Sequence, residues 1–151
     1  MKNKLILSIL SFFILANCGF EPIYSSKKTN FNIGEIKVTS KNKFNSIIKN
    51  NLKNISNNES QNKFDLIVNS KKEKIISTKD AKGNPQLLTM IISVEVQIIK
   101  DNVINNRKNF SQNFSYSNDT NKFSLAQYEK DIEKNLINKI IENIKTYLLS
   151  L

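Results

Sequence analysis

The chemistry open to this chain centres on one thiol. Cys18 is the single cysteine in 151 residues, and it closes the run Leu15-Ala16-Asn17-Cys18. A lone thiol has no partner for an internal disulfide, so a covalent attachment is the chemistry that suits it. The groups that usually carry catalysis are scarce. There is no histidine, so the commonest general base and metal ligand is missing. Three glycines, Gly19, Gly34 and Gly83, are too few for a phosphate-cradling loop. The acids form no pair at a suggestive spacing. Those among Tyr128-Glu129-Lys130-Asp131-Ile132-Glu133 suit the solvated side and first turns of a helix, where negative charge favours the macrodipole. The expectation is a protein that is not an enzyme and holds neither metal nor dissociable cofactor.

The residues ahead of the thiol have their own order. Lys2 and Lys4 precede the apolar stretch Leu5 to Ala16, and small residues follow before Cys18. That is the plan of a secretory signal. With cysteine at the start of the mature chain, the tetrad resembles a bacterial lipobox. The resemblance implies cleavage before Cys18 and acylation of its thiol and new amino group. Gly19 then fits passage to the outer membrane. A transmembrane helix is the competing reading, but twelve residues rise only about 18 Å against a hydrocarbon core of about 30 Å. A secretory signal with an unlipidated Cys18 is the other alternative.

Removing residues 1–17 leaves 134 of the 151, enough for one domain with its own core. Those first residues hold two of the 23 basic residues and none of the 13 acids, so +8 of the formal +10 remains. Such a balance suits an anionic partner, or reflects a chain simply rich in Lys, Asn and Ile. The export signal and the lack of a long basic block argue against nucleic acid.

The elements follow from periodicity. Residues 18–30, with Pro22 and Ser25-Ser26-Lys27-Lys28, read as a tether. Phe31 to Val38 alternate as a strand, with a phase slip at Gly34-Glu35 that predicts a bulge. Phe44, Ile47, Ile48, Leu52 and Ile55 recur at helical spacing. Phe64, Leu66 and Val68 open a second strand, and residues 79–85 are the clearest turn. Met90, Ile92, Val94, Val96 and Ile98 mark a third strand. Beyond Asp101-Asn102 a fourth carries Phe110, Phe114 and Tyr116 on one face and Asn109, Ser111, Asn113 and Ser115 on the other. Ser124-Leu125-Ala126-Gln127 matches a capping box with Ser124 as N-cap, and Phe123 and Tyr128 stand as a hydrophobic staple. The helix beyond repeats apolar residues every four positions from Tyr128 through Ile132 to Leu148 and is longer than a small sheet needs. The predicted fold is a two-layer α+β domain over residues 31–151. Its order is β-α-β-β-β-α, with a four-stranded, mostly antiparallel sheet covered on one face by two helices.

The run Cys18-Gly19-Phe20-Glu21-Pro22-Ile23-Tyr24 resembles the start of the LptE-type lipopolysaccharide-assembly lipoproteins. The element order and mature size are similar to that family too, although Ile23 stands where the family often has leucine. The resemblance implies a non-enzymatic lipoprotein, lipid-anchored through Cys18 at the outer membrane and facing the periplasm. Its partners would be a β-barrel lipopolysaccharide-assembly protein, which it plugs, and lipopolysaccharide itself. Lys71, Lys72, Lys74, Lys79 and Lys82 gather in sequence around the turn at Gly83-Asn84-Pro85. They are candidate contacts for lipopolysaccharide phosphates or acidic barrel loops, or else lysines that keep a hairpin tip soluble. The alternative function is a lipoprotein that binds a periplasmic ligand or scaffolds another envelope complex.

Overall fold

The structure, a computed structural model, describes residues 29–40 and 42–151. The expected signal peptide 1–17, Cys18 and the tether up to residue 28 lie outside the described residues. The elements run β1 (Asn32–Val38), α1 (Lys43–Lys53), β2 (Lys63–Lys79), β3 (Pro85–Lys100), β4 (Val103–Ser117) and α2 (Lys122–Leu149). The strands form one sheet in the order β1-β2-β3-β4. β1 is parallel to β2, a geometry that needs a crossover, and α1 supplies it. The later strands pair antiparallel as a meander. The predicted α+β, two-layer fold is the observed one.

Strand phase sets the layers. Phe64, Leu66, Val68 and Ser70 of β2 are buried on one side, as are Leu88 through Ile98 at alternate positions of β3. α1 packs over β1 and β2, and α2 over β3 and β4, so both helices cover this one face. Ile48, Leu52, Leu66, Val96, Ile140, Ile144 and Leu148 have no exposed surface. Burying each such side chain contributes about 1.5–3 kcal/mol of transfer free energy.

The predicted bulge is present. Pairing of β1 with β2 skips between Ile33 and Ile36. A Cβ on Gly34 would lie 2.5 Å from Asp65 Oδ1, and Glu35 N donates to that same oxygen at 2.7 Å. Glycine therefore lets the bulged backbone sit against Asp65. The β3–β4 turn is also as predicted. Asp101 and Asn102 both take positive φ, 53° and 62°, the requirement of a two-residue hairpin with the sheet's twist.

Three expectations about the last helix fail. Its N-cap is Asn121, not Ser124: the Asn121 side chain accepts from Phe123 N at 3.1 Å and Ser124 N at 3.2 Å. Asparagine caps as well as serine, and Asp119 Oδ1 fixes Asn121 N at 2.8 Å, so the helix starts earlier. With that start Phe123 falls within the first turn, 83% exposed, and forms no staple. Tyr128 instead meets Tyr116 edge-on, centroids 6.1 Å apart. Nor is the helix overlong. Strands of 15–17 residues span roughly 50 Å, more than the helix's own length of about 42 Å. Leu148 is still fully buried at its end.

Thr29 and Asn30 already belong to the domain's hydrogen bonding. Thr29 Oγ1 donates to Ile55 O at 2.7 Å, and Ser60 Oγ donates to Asn30 O at 2.8 Å.

Candidate interaction surface

The helices leave the second sheet face open, and alternation decides what stands there. Thr89 pairs with Ser115 and Ser93 with Ser111 across β3 and β4. Their hydroxyls meet at 2.7 and 3.1 Å, and Ser77 adds to the row at 2.5 Å from Thr89. Farther along, Gln97 donates to Glu95 at 2.5 Å, and Arg107 Nε lies 3.9 Å from the same carboxylate. Ile67, Ile91 and Ile99 are half-buried among these groups. Cross-strand Ser/Thr pairs of this kind contribute about 0.2–1 kcal/mol each. The result is a hydrogen-bonding face with apolar inlays, the composition of a wet interface.

The two faces differ in charge. On the open face Lys37, Lys63, Lys71 and Arg107 stand against Glu35, Asp65, Glu73 and Glu95, so the charges balance. The helical layer is basic. α1 has three lysines and no acid, and α2 has five lysines and four acids. Lys72, Lys74 and Lys108 add to that side from the strands. Among the described residues the positive excess therefore lies on the helical side.

The five candidate lysines do not converge. Lys71 is on the open face, ion-paired with Glu73. Lys72 and Lys74 continue the phase of Val68 and Ser70 and so face α2. There Lys72 pairs with Glu133, and Lys74 Nζ lies 3.1 Å from Glu129. Lys43 reaches Glu133 from α1 at 3.8 Å. Lys79 ends β2, and Lys82 lies within the turn. Asp80 organises that turn, accepting from Lys82 N, Asn84 N and Asn84 Nδ2 at 2.8–3.0 Å. Those bonds, the Asn84 side chain first, hold the Asp80 carboxyl below its usual range. Gly83 takes φ +85°, which favours glycine.

Glu129 and Glu133, expected on a solvated side of the helix, are instead mostly buried against lysines of β2. Tyr116 Oη donates to Glu129 Oε1 at 2.7 Å, beside Lys74. Burial pushes the Glu129 carboxyl up, but the Tyr116 and Lys74 hydrogen bonds outweigh it and hold the carboxyl low. Burial, then the same hydrogen bond and the field of Glu129, push the Tyr116 phenol up. A signal existed: the β2 phase carries Lys72 and Lys74 to the helix side, and Glu129 and Glu133 lie one turn apart. Among the described residues no cluster of three His, Cys, Asp or Glu side chains is placed to hold a metal ion. No helix among them is long and apolar enough to cross a membrane.

No protein-family profile and no curated protein sequence matches the chain. Solved structures do match its fold. Rare lipoprotein B from Shewanella oneidensis superposes with a TM-score of 0.60 at 13% identity, covering 78% of this chain and 95% of that one. A minor lipoprotein from Acinetobacter baumannii gives 0.60 at 14% identity, covering 77% and 89%. Lipoprotein B from Nitrosomonas europaea gives 0.55 at 12% identity, covering 83% and 87%. At these identities the likeness establishes a shared fold across nearly the whole of each relative.

Proposed function

We propose that this chain is an outer-membrane lipoprotein, anchored by acyl chains on Cys18, whose domain seats in and plugs a β-barrel lipopolysaccharide translocon. The observation that carries the reading is the pairing of an extended polar, near-neutral sheet face with a fold shared by lipoproteins along their length. The lumen of a large barrel is polar and wet, and a ladder of Ser, Thr, Asn and Gln suits such a wall better than an apolar face would. The lipobox-like Leu15-Ala16-Asn17-Cys18 supports the anchor, and two or more acyl chains give stable attachment where one is marginal.

On this reading the protein acts by binding and not by catalysis. Lys79 and Lys82, at the hairpin tip, make no ion pair among the described residues and are the candidate lysines best placed for lipopolysaccharide phosphate. Lys72 and Lys74 serve the contact with α2. Recovery of the native lipoprotein from detergent-solubilised membranes tests the assembly. A large heat-modifiable β-barrel protein should come with it in near-equal amount, and recovery of the lipoprotein alone removes the reading.

A further inference from the structure

α1 sits over β1 and β2 and α2 over β3 and β4, so a groove remains between the helices. It encloses about 410 Å³. That lies within the range of small-molecule sites, roughly 300–1,000 Å³. Phe44, Ile47 and Ile137 form its floor, and Lys43, Lys130 and Lys134 stand on its rim. Asp131 and Glu133 line it as well. Glu133 is answered by its close pair with Lys72, with Lys43 more distant at 3.8 Å, so Lys43, Lys130 and Lys134 stand against Asp131 and the rim stays positive. The groove opens on the layer that holds the positive excess of the described residues.

We propose that this groove binds an anionic single-chain amphiphile. The acyl chain lies on Phe44, Ile47 and Ile137, and the carboxylate or phosphate head is held by Lys43, Lys130 and Lys134. An apolar floor by itself would accept any hydrocarbon, while the surrounding cations select a negative head. A free anion would gain nothing from the floor, and a neutral detergent nothing from the rim. The inference is independent of the translocon reading, since it uses residues of the helical layer alone.

The test uses the full-length acylated protein in phosphatidylcholine nanodiscs without any barrel protein. It is irradiated with dodecyl phosphate carrying a diazirine in its chain, and adducts are located by mass spectrometry. Adducts should concentrate at residues 43–48 and 130–138. Excess unlabelled dodecyl phosphate should abolish them, while dodecyl maltoside and inorganic phosphate should not. Lys130→Glu combined with Lys134→Glu alters two exposed side chains, spares the core, and should cut labelling at least fivefold. Adducts spread over the whole surface would overturn the proposal. So would equal competition by dodecyl maltoside, which marks a plain apolar patch, or by inorganic phosphate, which marks a plain anion site.

Discussion

The Tyr116 hydroxyl donates to Glu129 Oε1 at 2.7 Å, joining an edge strand to the first turns of the long helix. Lys74, at 3.1 Å from the same oxygen, brings β2 into that junction across the helix. One carboxylate thus ties the consecutive elements β4 and α2 to β2, whose Lys74 lies 55 residues before it in the chain.

Removing the hydroxyl should be felt at neutral pH and fade in acid. Tyr116→Phe leaves a partly buried carboxylate with one donor fewer, at a cost of about 1–2 kcal/mol. Glu129 has its carboxyl lowered in the fold from an ordinary value of 4.5. Its contribution is therefore complete above pH 4.5 and is lost as pH falls through the lower folded value. Urea midpoints measured at pH 7 should separate wild type from Tyr116→Phe, and the separation should narrow at the lowest pH at which the protein stays folded. An equal gap at both values would mean that the phenol acts through packing instead.

The start of α2 separates two capping schemes. Asn121→Ala should lower stability by about 1 kcal/mol, while Ser124→Ala should change it by a few tenths at most. Thermal unfolding of both variants checks this, and a larger loss for Ser124→Ala would restore the later helix start.

The lysines divide into two sets with opposite readouts. Lys79→Glu with Lys82→Glu should weaken binding to purified lipopolysaccharide several-fold and leave the melting temperature alone. Lys72→Glu with Lys74→Glu places acids against Glu133 and Glu129, so it should lower stability by about 1–3 kcal/mol. Calorimetry paired with a lipopolysaccharide-binding assay distinguishes the sets.

Much of the architecture was legible because periodicity reports burial directly. Met90 to Ile98 alternate and form the central strand, and Ile132 to Leu148 mark the face of α2 that enters the core. Gly34-Glu35 announced the bulge through a slip in phase. Local rules did less well where two good caps compete. Ser124-x-x-Gln127 satisfies the capping box, but Asn121 fixes the helix three residues earlier, and nothing in the pattern ranks one above the other. The lysine cluster misled for a different reason. Lys71, Lys72 and Lys74 are neighbours in sequence, yet a strand's period of two sends Lys71 to one face and the other pair to the opposite face. Their partners, Glu129 and Glu133, lie some 55 to 61 residues away, a separation that periodicity does not register. The polar ladder was visible as alternating Ser, Thr and Asn. Its hydroxyl pairs became visible only with the β3–β4 register.

The central claim concerns what the open sheet face meets. A photoreactive phenylalanine analogue placed at Ser93 or at Ser111 in living cells tests it most directly, since both stand mid-ladder and neither supports the core. Irradiation should yield an adduct between this protein and an outer-membrane β-barrel from both positions. Irradiation that captures no barrel from either position would contradict the account.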